Sequence, residues 1–151
     1  MNAVKTKIYS LKELINVLDK NNTVIDYLNT FSKIHFGFKE IEHLCFWDPD
    51  YYSKININKG DDYELVLICW EKGQHSAIHN HEVKEAWTYI LKGELTEEIY
   101  SRIDGSDEFK LENTVKLPER KISSLKKDSR KVHRLINSYD GRSVSLHLYK
   151  K

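Results

Sequence analysis

From about Tyr51 to the C-terminus the chain is a succession of short β-branched and aromatic runs separated by turn signals at close intervals. No other feature limits the fold as strongly. Residues 63–70 form a dense apolar run between Asp61-Asp62 and Gly73, and residues 86–91 lead through Gly93 into 94–100. Asp104-Gly105 marks a turn, 113–117 and 121–125 read as short strands, and 132–136 is followed by Asp140-Gly141 and a last strand at 143–149. Short strands so closely spaced, with no helical period between them, predict a small barrel or jelly roll.

The first third has a different texture. Ser10 with Glu13 three residues on predicts a capping box, followed by Leu11, Leu14, Ile15 and Leu18 on one helical stripe. Residues 24–34 carry Val24, Ile25, Leu28, Phe31 and Ile34 at near-helical period, and 40–46 predict a shorter third helix ended by Asp48-Pro49-Asp50. The expected fold class is therefore mainly β, with short N-terminal helices. One domain over 1–151 is expected, with a helical part at 1–48 and a barrel at 51–151, because 151 residues leave little room for a second.

Charge narrows the partners. Lys plus Arg number 24 against 23 Asp plus Glu, for a net charge of +1, without the basic excess that nucleic-acid binding demands. The basic stretch 123–131 reads as a solvated loop. No run of 18 apolar residues predicts a membrane span, and the N-terminal lysines lack the apolar core of a signal peptide. Cys45 and Cys69 allow one disulfide, but reduced thiols in a cytoplasmic protein are the simpler expectation. A monomer or small homo-oligomer is expected.

Of the seven histidines, His79 and His81 carry the most information. Alternation on a strand turns residues i and i+2 to one face, so His-Asn-His aims two imidazoles the same way. A first-row metal needs such donors converging at about 2.0–2.1 Å. His133, on a later strand, is the candidate third ligand. His75 falls in a turn, and His35 and His43 lie among the helices, where structural roles are expected. Trp47, Trp70 and Trp87 read as packing residues, and Cys69 as a small core residue.

Gly73, His79, His81, Glu85 and Gly93, then His133 and Asn137, resemble the two-part signature of the cupin superfamily. The proline and glycine usual before the later histidine are replaced by Asp128 and Arg130. Four blocks narrow the match: Cys69-Trp70; Ser76-Ala77-Ile78-His79-Asn80-His81; Val132-His133-Arg134-Leu135-Ile136-Asn137; and Ser145-Leu146-His147-Leu148-Tyr149. In composition and order they closely resemble the cysteine dioxygenase family of thiol dioxygenases.

That resemblance implies a cupin barrel holding one ferrous ion, Fe(2+), on His79, His81 and His133. It implies a small thiol, L-cysteine first, and dioxygen as substrates, with a sulfinate as product. Tyr149 would hydrogen-bond the substrate carboxylate or oxygen at the iron, His147 would orient the tyrosine hydroxyl, and Ser145 would bond the imidazole. Lys54 stands where the family clamps the substrate carboxylate with arginine, and Tyr51 or Tyr52 would line the same pocket. Lysine keeps the charge and loses the planar fork. Where some members carry a crosslinking cysteine, this chain has Ala86. If Ala86 faces the site, Glu85 turns away; if not, Glu85 is a fourth ligand. Dioxygenation of 3-mercaptopropionate or cysteamine, and a non-catalytic metal-binding or ligand-sensing cupin, are the alternatives.

Overall fold

The computed structural model describes residues 7–20, 24–78, 85–126 and 131–151. The chain divides into two compact units, residues 1–44 and 45–151. His79 and His81 lie outside the described residues.

In the first unit, α1 (Leu11–Lys20) starts at Ser10 and Glu13 as expected, with the return bond of the capping box going to the residue before the cap. The Glu13 N–H donates to Ser10 Oγ at 3.1 Å, and Glu13 Oε2 accepts from the Tyr9 N–H at 2.7 Å. Leu14 and Leu18 are fully buried. The second helix, α2 (Val24–Ser32), buries Tyr27, Thr30 and Phe31, with Ile34 continuing the stripe, whereas Leu28 is exposed. The buried stripe thus runs Tyr27, Thr30, Phe31, Ile34 at i, i+3, i+4, i+7, rotated from the expected one because Tyr27 takes the inner position. After a bridge between Ile8 and Ile34, α3 (Phe38–Ile41) passes into a 3-10 turn (Glu42–Leu44), short of the expected Phe46.

The described residues of the second unit form eight strands: β1 (Ser53–Lys59), β2 (Tyr63–Trp70), β3 (Glu85–Lys92), β4 (Leu95–Arg102), β5 (Phe109–Leu117), β6 (Ile122–Lys126), β7 (Lys131–Ile136) and β8 (Ser143–Lys150). They form a five-stranded sheet, β1-β2-β8-β3-β6, and a three-stranded sheet, β5-β4-β7, antiparallel throughout. The sequence did not predict β1. Its residues, SKININK, carry only two apolar side chains, Ile55 and Ile57, in a polar run, as suits a strand at a sheet edge. The polar start of β5 went unread for the same reason. The strand expected at 121–125 is β6, which takes Ser123 out of the stretch also expected as a solvated loop.

Register decides which residues look inward. Val66, Ile68 and Trp70 of β2 share a core cluster with Ile90, Leu95, Leu117 and Leu135, against which Tyr52, Val115 and Tyr149 pack. The β2–β8 ladder runs unbroken from Tyr63↔Lys150 to Trp70↔Ser143, which puts Ser145, His147 and Tyr149 on the face of Ile68, Val66 and Glu64.

Two residues of the cupin signature serve this ladder. Gly93 has φ +73°, and a Cβ there would meet Ser143 Oγ at 2.5 Å and the Arg142 carbonyl at 2.7 Å, so only glycine lets the β3–β4 turn lie against the start of β8. Asn137, fully buried, donates through Nδ2 to the carbonyls of Trp70 (3.0 Å) and Gly141 (2.9 Å). Its Oδ1 accepts from Ser143 Oγ (2.9 Å) and the Tyr139 N–H (3.2 Å). One side chain thereby ties the end of β2 to the β7–β8 turn. Asn137→Ala strands several buried partners and is expected to cost about 3 kcal/mol. Urea denaturation checks this as a lowered midpoint at unchanged slope.

Candidate functional site

The inner wall is built by β8 with β2 and β3 on either side. Ala86, Thr88 and Ile90 of β3 stand opposite Tyr149, His147 and Ser145. Ala86 therefore shares the inner face with Tyr149. Glu85 takes the outer face, opposite Lys126 on β6 and Lys150 on β8.

A chain of hydrogen bonds crosses this wall. Trp70 Nε1–H donates to Ser145 Oγ at 2.9 Å, Ser145 Oγ lies 2.6 Å from His147 Nε2, and His147 Nδ1 lies 3.2 Å from Thr88 Oγ1. Ser145 and His147 are buried. The rings of His147 and Tyr149 lie 18° from parallel with centroids 6.1 Å apart. Tyr149 is partly buried, and its phenol is pushed well above the ordinary tyrosine range. Burial is the main cause, and the neighbouring Tyr52 phenol and Glu64 carboxylate add to it. Its hydroxyl keeps its proton at neutral pH and stays a donor.

Lys54 and Tyr52 lie beside this wall. Lys54 is exposed on β1 and places its Nζ 5.8 Å from the Tyr149 ring centroid, while the Tyr52 ring sits 4.8 Å from that of Trp70.

His133, on β7, is buried, with 6% of its surface exposed. Its Nδ1 lies 3.4 Å from Glu97 Oε2, and the other carboxylate oxygen of Glu97 accepts from Ser123 Oγ at 3.1 Å. Ser123 pairs with Thr88 across β6 and β3, so His133 and His147 border one polar band through Glu97, Ser123 and Thr88. No group of three or more His, Cys, Asp or Glu able to hold a metal occurs among the described residues.

Glu97 and Thr88 were not singled out from sequence. The alternation Leu95, Glu97, Ile99 held the signal for Glu97, since it sets a carboxylate on an apolar face. Thr88 gave none, being an ordinary strand residue. Cys45 and Cys69 are free thiols, and burial pushes the Cys69 thiol up, consistent with packing and not with a nucleophile. His75 and His43 are exposed. Among the described residues no helix is long and apolar enough to cross a membrane.

Two antiparallel sheets with a polar inner wall define a cupin. The fold is shared with a Thermus thermophilus protein of known structure (TM-score 0.58, 17% identity, 73% of this chain and 92% of that one). It is shared also with a double-stranded β-helix protein from Klebsiella pneumoniae (TM-score 0.57, 16% identity, 73% and 85%). The family model for cysteine dioxygenase type I matches residues 5–151, and the chain belongs to that family. It is 27% identical over 105 residues to cysteine dioxygenase type 1 of Bos taurus (68% of this chain, 52% of that protein). Over 111 residues it is 31% identical to the Danio rerio enzyme of the same name (68% and 53%). The chain spans about half the length of these curated relatives.

The raised Tyr149 phenol has a measurable consequence. The folded state holds that proton when the unfolded chain, with an ordinary value of about 10, has released it. Stability from this group is therefore full below about pH 10 and falls as pH rises beyond it. Tyr149→Phe is expected to lose about 1 kcal/mol less than the native protein between about pH 9 and about pH 11, read by denaturant unfolding at both values.

Proposed function

We propose that this chain is a thiol dioxygenase, adding both atoms of dioxygen to the sulfur of a small thiol, L-cysteine first, to give the sulfinate. Family membership supports the class. The observation that carries the reading furthest is the parity of β3 against β8, which puts Ala86 beside Tyr149 and Glu85 on the outer face. An all-histidine ligand set, without a carboxylate, is what such chemistry would use here.

His79, His81 and His133 would hold a ferrous ion. His133 fits that part: it is a buried imidazole on β7 with Nδ1 3.4 Å from a carboxylate oxygen, a pairing by which proteins orient metal-binding histidines. A bound ferrous ion would supply open coordination positions where sulfur and dioxygen meet, and would favour the thiolate. The rest falls to side chains. Lys54 would bind the substrate carboxylate, Tyr52 would line the pocket beside it, and Tyr149 would donate its hydroxyl proton in a hydrogen bond to the substrate's polar end. His147 and Ser145 would hold Tyr149 in place, and Glu97 would hold His133. Because Lys54 offers a point charge and not a fork, it suits a carboxylate presented at varied angles. 3-Mercaptopropionate is therefore the second substrate expected, and cysteamine, without a carboxylate, the weakest.

Ferrous-loaded protein is expected to consume oxygen with L-cysteine, matched by sulfinate in mass detection, and His133→Ala to abolish both. No uptake with any of the three thiols, at confirmed iron loading, overturns the reading in favour of a ligand-binding cupin. Lys54→Ala is expected to raise KM for the two carboxylate-bearing thiols about tenfold, as when a charge-assisted hydrogen bond is lost, with cysteamine turnover unchanged. Glu97→Gln is expected to weaken metal binding about tenfold, read by chelator competition.

A further inference from the structure

The hydrogen-bond chain across the inner wall has a direction that can be worked out. An indole N–H can only donate, so Trp70 fixes Ser145 Oγ as its acceptor. The Ser145 hydroxyl keeps one proton. Ser145 is fully buried, and among the described residues His147 Nε2 is the acceptor within its reach, at 2.6 Å. Nε2 is then the bare nitrogen. A neutral imidazole carries one N–H, so it is Nδ1–H, and at 3.2 Å it meets Thr88 Oγ1. The donors of Trp70, Ser145 and His147 all point the same way, toward Thr88 on β3.

We propose that Thr88 is a positioning residue that holds His147 as the neutral Nδ1–H tautomer, so that His147 serves Tyr149 as a fixed stacking support and not as a carrier of its proton. Both ring nitrogens are engaged with the barrel wall, one by Ser145 and one by Thr88, and the face of the ring is what meets Tyr149. Protonating His147 would set an Nε2–H against the serine hydroxyl and deprive that buried proton of its acceptor, a cost the wall would resist. Thr88 is suited to the task by place: it stands directly opposite His147 in the β3–β8 ladder, where a short hydroxyl side chain reaches the ring. The arrangement contrasts with a relay in which the imidazole passes a proton to the tyrosine hydroxyl. Its catalytic consequence rests on the dioxygenase reading; the tautomer does not.

The test uses the full chain labelled with 15N-histidine, in zinc-loaded and chelator-treated forms, with His147→Gln to assign the signal. Long-range 1H–15N NMR is expected to show a pyrrole-type Nδ1 and a pyridine-type Nε2 for His147. Thr88→Val, nearly equal in volume, is expected to shift the ring toward a tautomer mixture, and Thr88→Ser to restore the native pattern. In oxygen consumption with L-cysteine, Thr88→Val is expected to lower kcat about tenfold with KM little changed, as for loss of a positioning partner, and Thr88→Ser to recover it. A native Nε2–H tautomer, or a Thr88→Val spectrum identical to the native one, overturns the proposal, and the native spectrum decides this even if a variant fails to fold. If the native protein shows the expected tautomer and no turnover of any thiol, the dioxygenase reading fails while the role of Thr88 in holding His147 stands.

Discussion

The indole N–H of Trp70 is a donor that cannot accept, and it is buried inside the barrel. Left without an acceptor it would cost about 1–3 kcal/mol. Ser145 answers it, and that answer commits the rest of the wall. Once Ser145 faces Trp70, alternation on β8 sends His147 and Tyr149 inward with it and sends Leu146 and Leu148 to the other face. Once His147 is inside, its remaining nitrogen needs a partner, and Thr88 on the opposite strand supplies one. The polar side chains at the site are also a solution to a burial problem. The core cluster of Val66, Ile68, Ile90 and Leu135 packs around a row of polar groups that satisfy one another.

A second polar row lies toward the three-stranded sheet. Glu97 divides its two carboxylate oxygens between Ser123 at one sheet's edge and His133 at the other's. A carboxylate buried to this degree is costly unless both oxygens are used. Here its contacts reach β6 and β7, strands that belong to different sheets, so the carboxylate beside His133 also helps join the halves of the barrel.

The strands with strong β-branched runs, such as β2, were readable from sequence because each run declares itself. The edge strand β1 was not, because its alternation rests on only Ile55 and Ile57 within a polar run. Helix α2 was readable as a helix, and Phe31 and Ile34 are buried as expected, but Leu28 is exposed because Tyr27 takes the inner position one residue earlier. At the candidate site, Ser145, His147 and Tyr149 stood out through the resemblance of their block to the cysteine dioxygenase family; their period of two within one strand showed only that they share a face. Whether Glu85 or Ala86 looked inward could not be read the same way. Alternation gives relative facing only, and the absolute choice is made by pairing with β8, a contact some sixty residues away in the chain. Thr88 and Glu97 escaped notice for a related reason: their importance lies wholly in what stands across from them. His79 and His81, the pair with the plainest sequence signal, lie outside the described residues.

The β7–β8 turn, fastened by Asn137, counts residues. Chain between the last contact of β7 and the first of β8 sets whether odd or even positions of the final strand enter the barrel. Lengthening or shortening that turn by one residue, if β8 slid to compensate, would exchange two complete sets of side chains. Leu146 and Leu148 would fill the interior, and serine, histidine and tyrosine would leave it together. The chemistry of the last strand is thus stored as a parity, and Asn137 is the residue that protects the count.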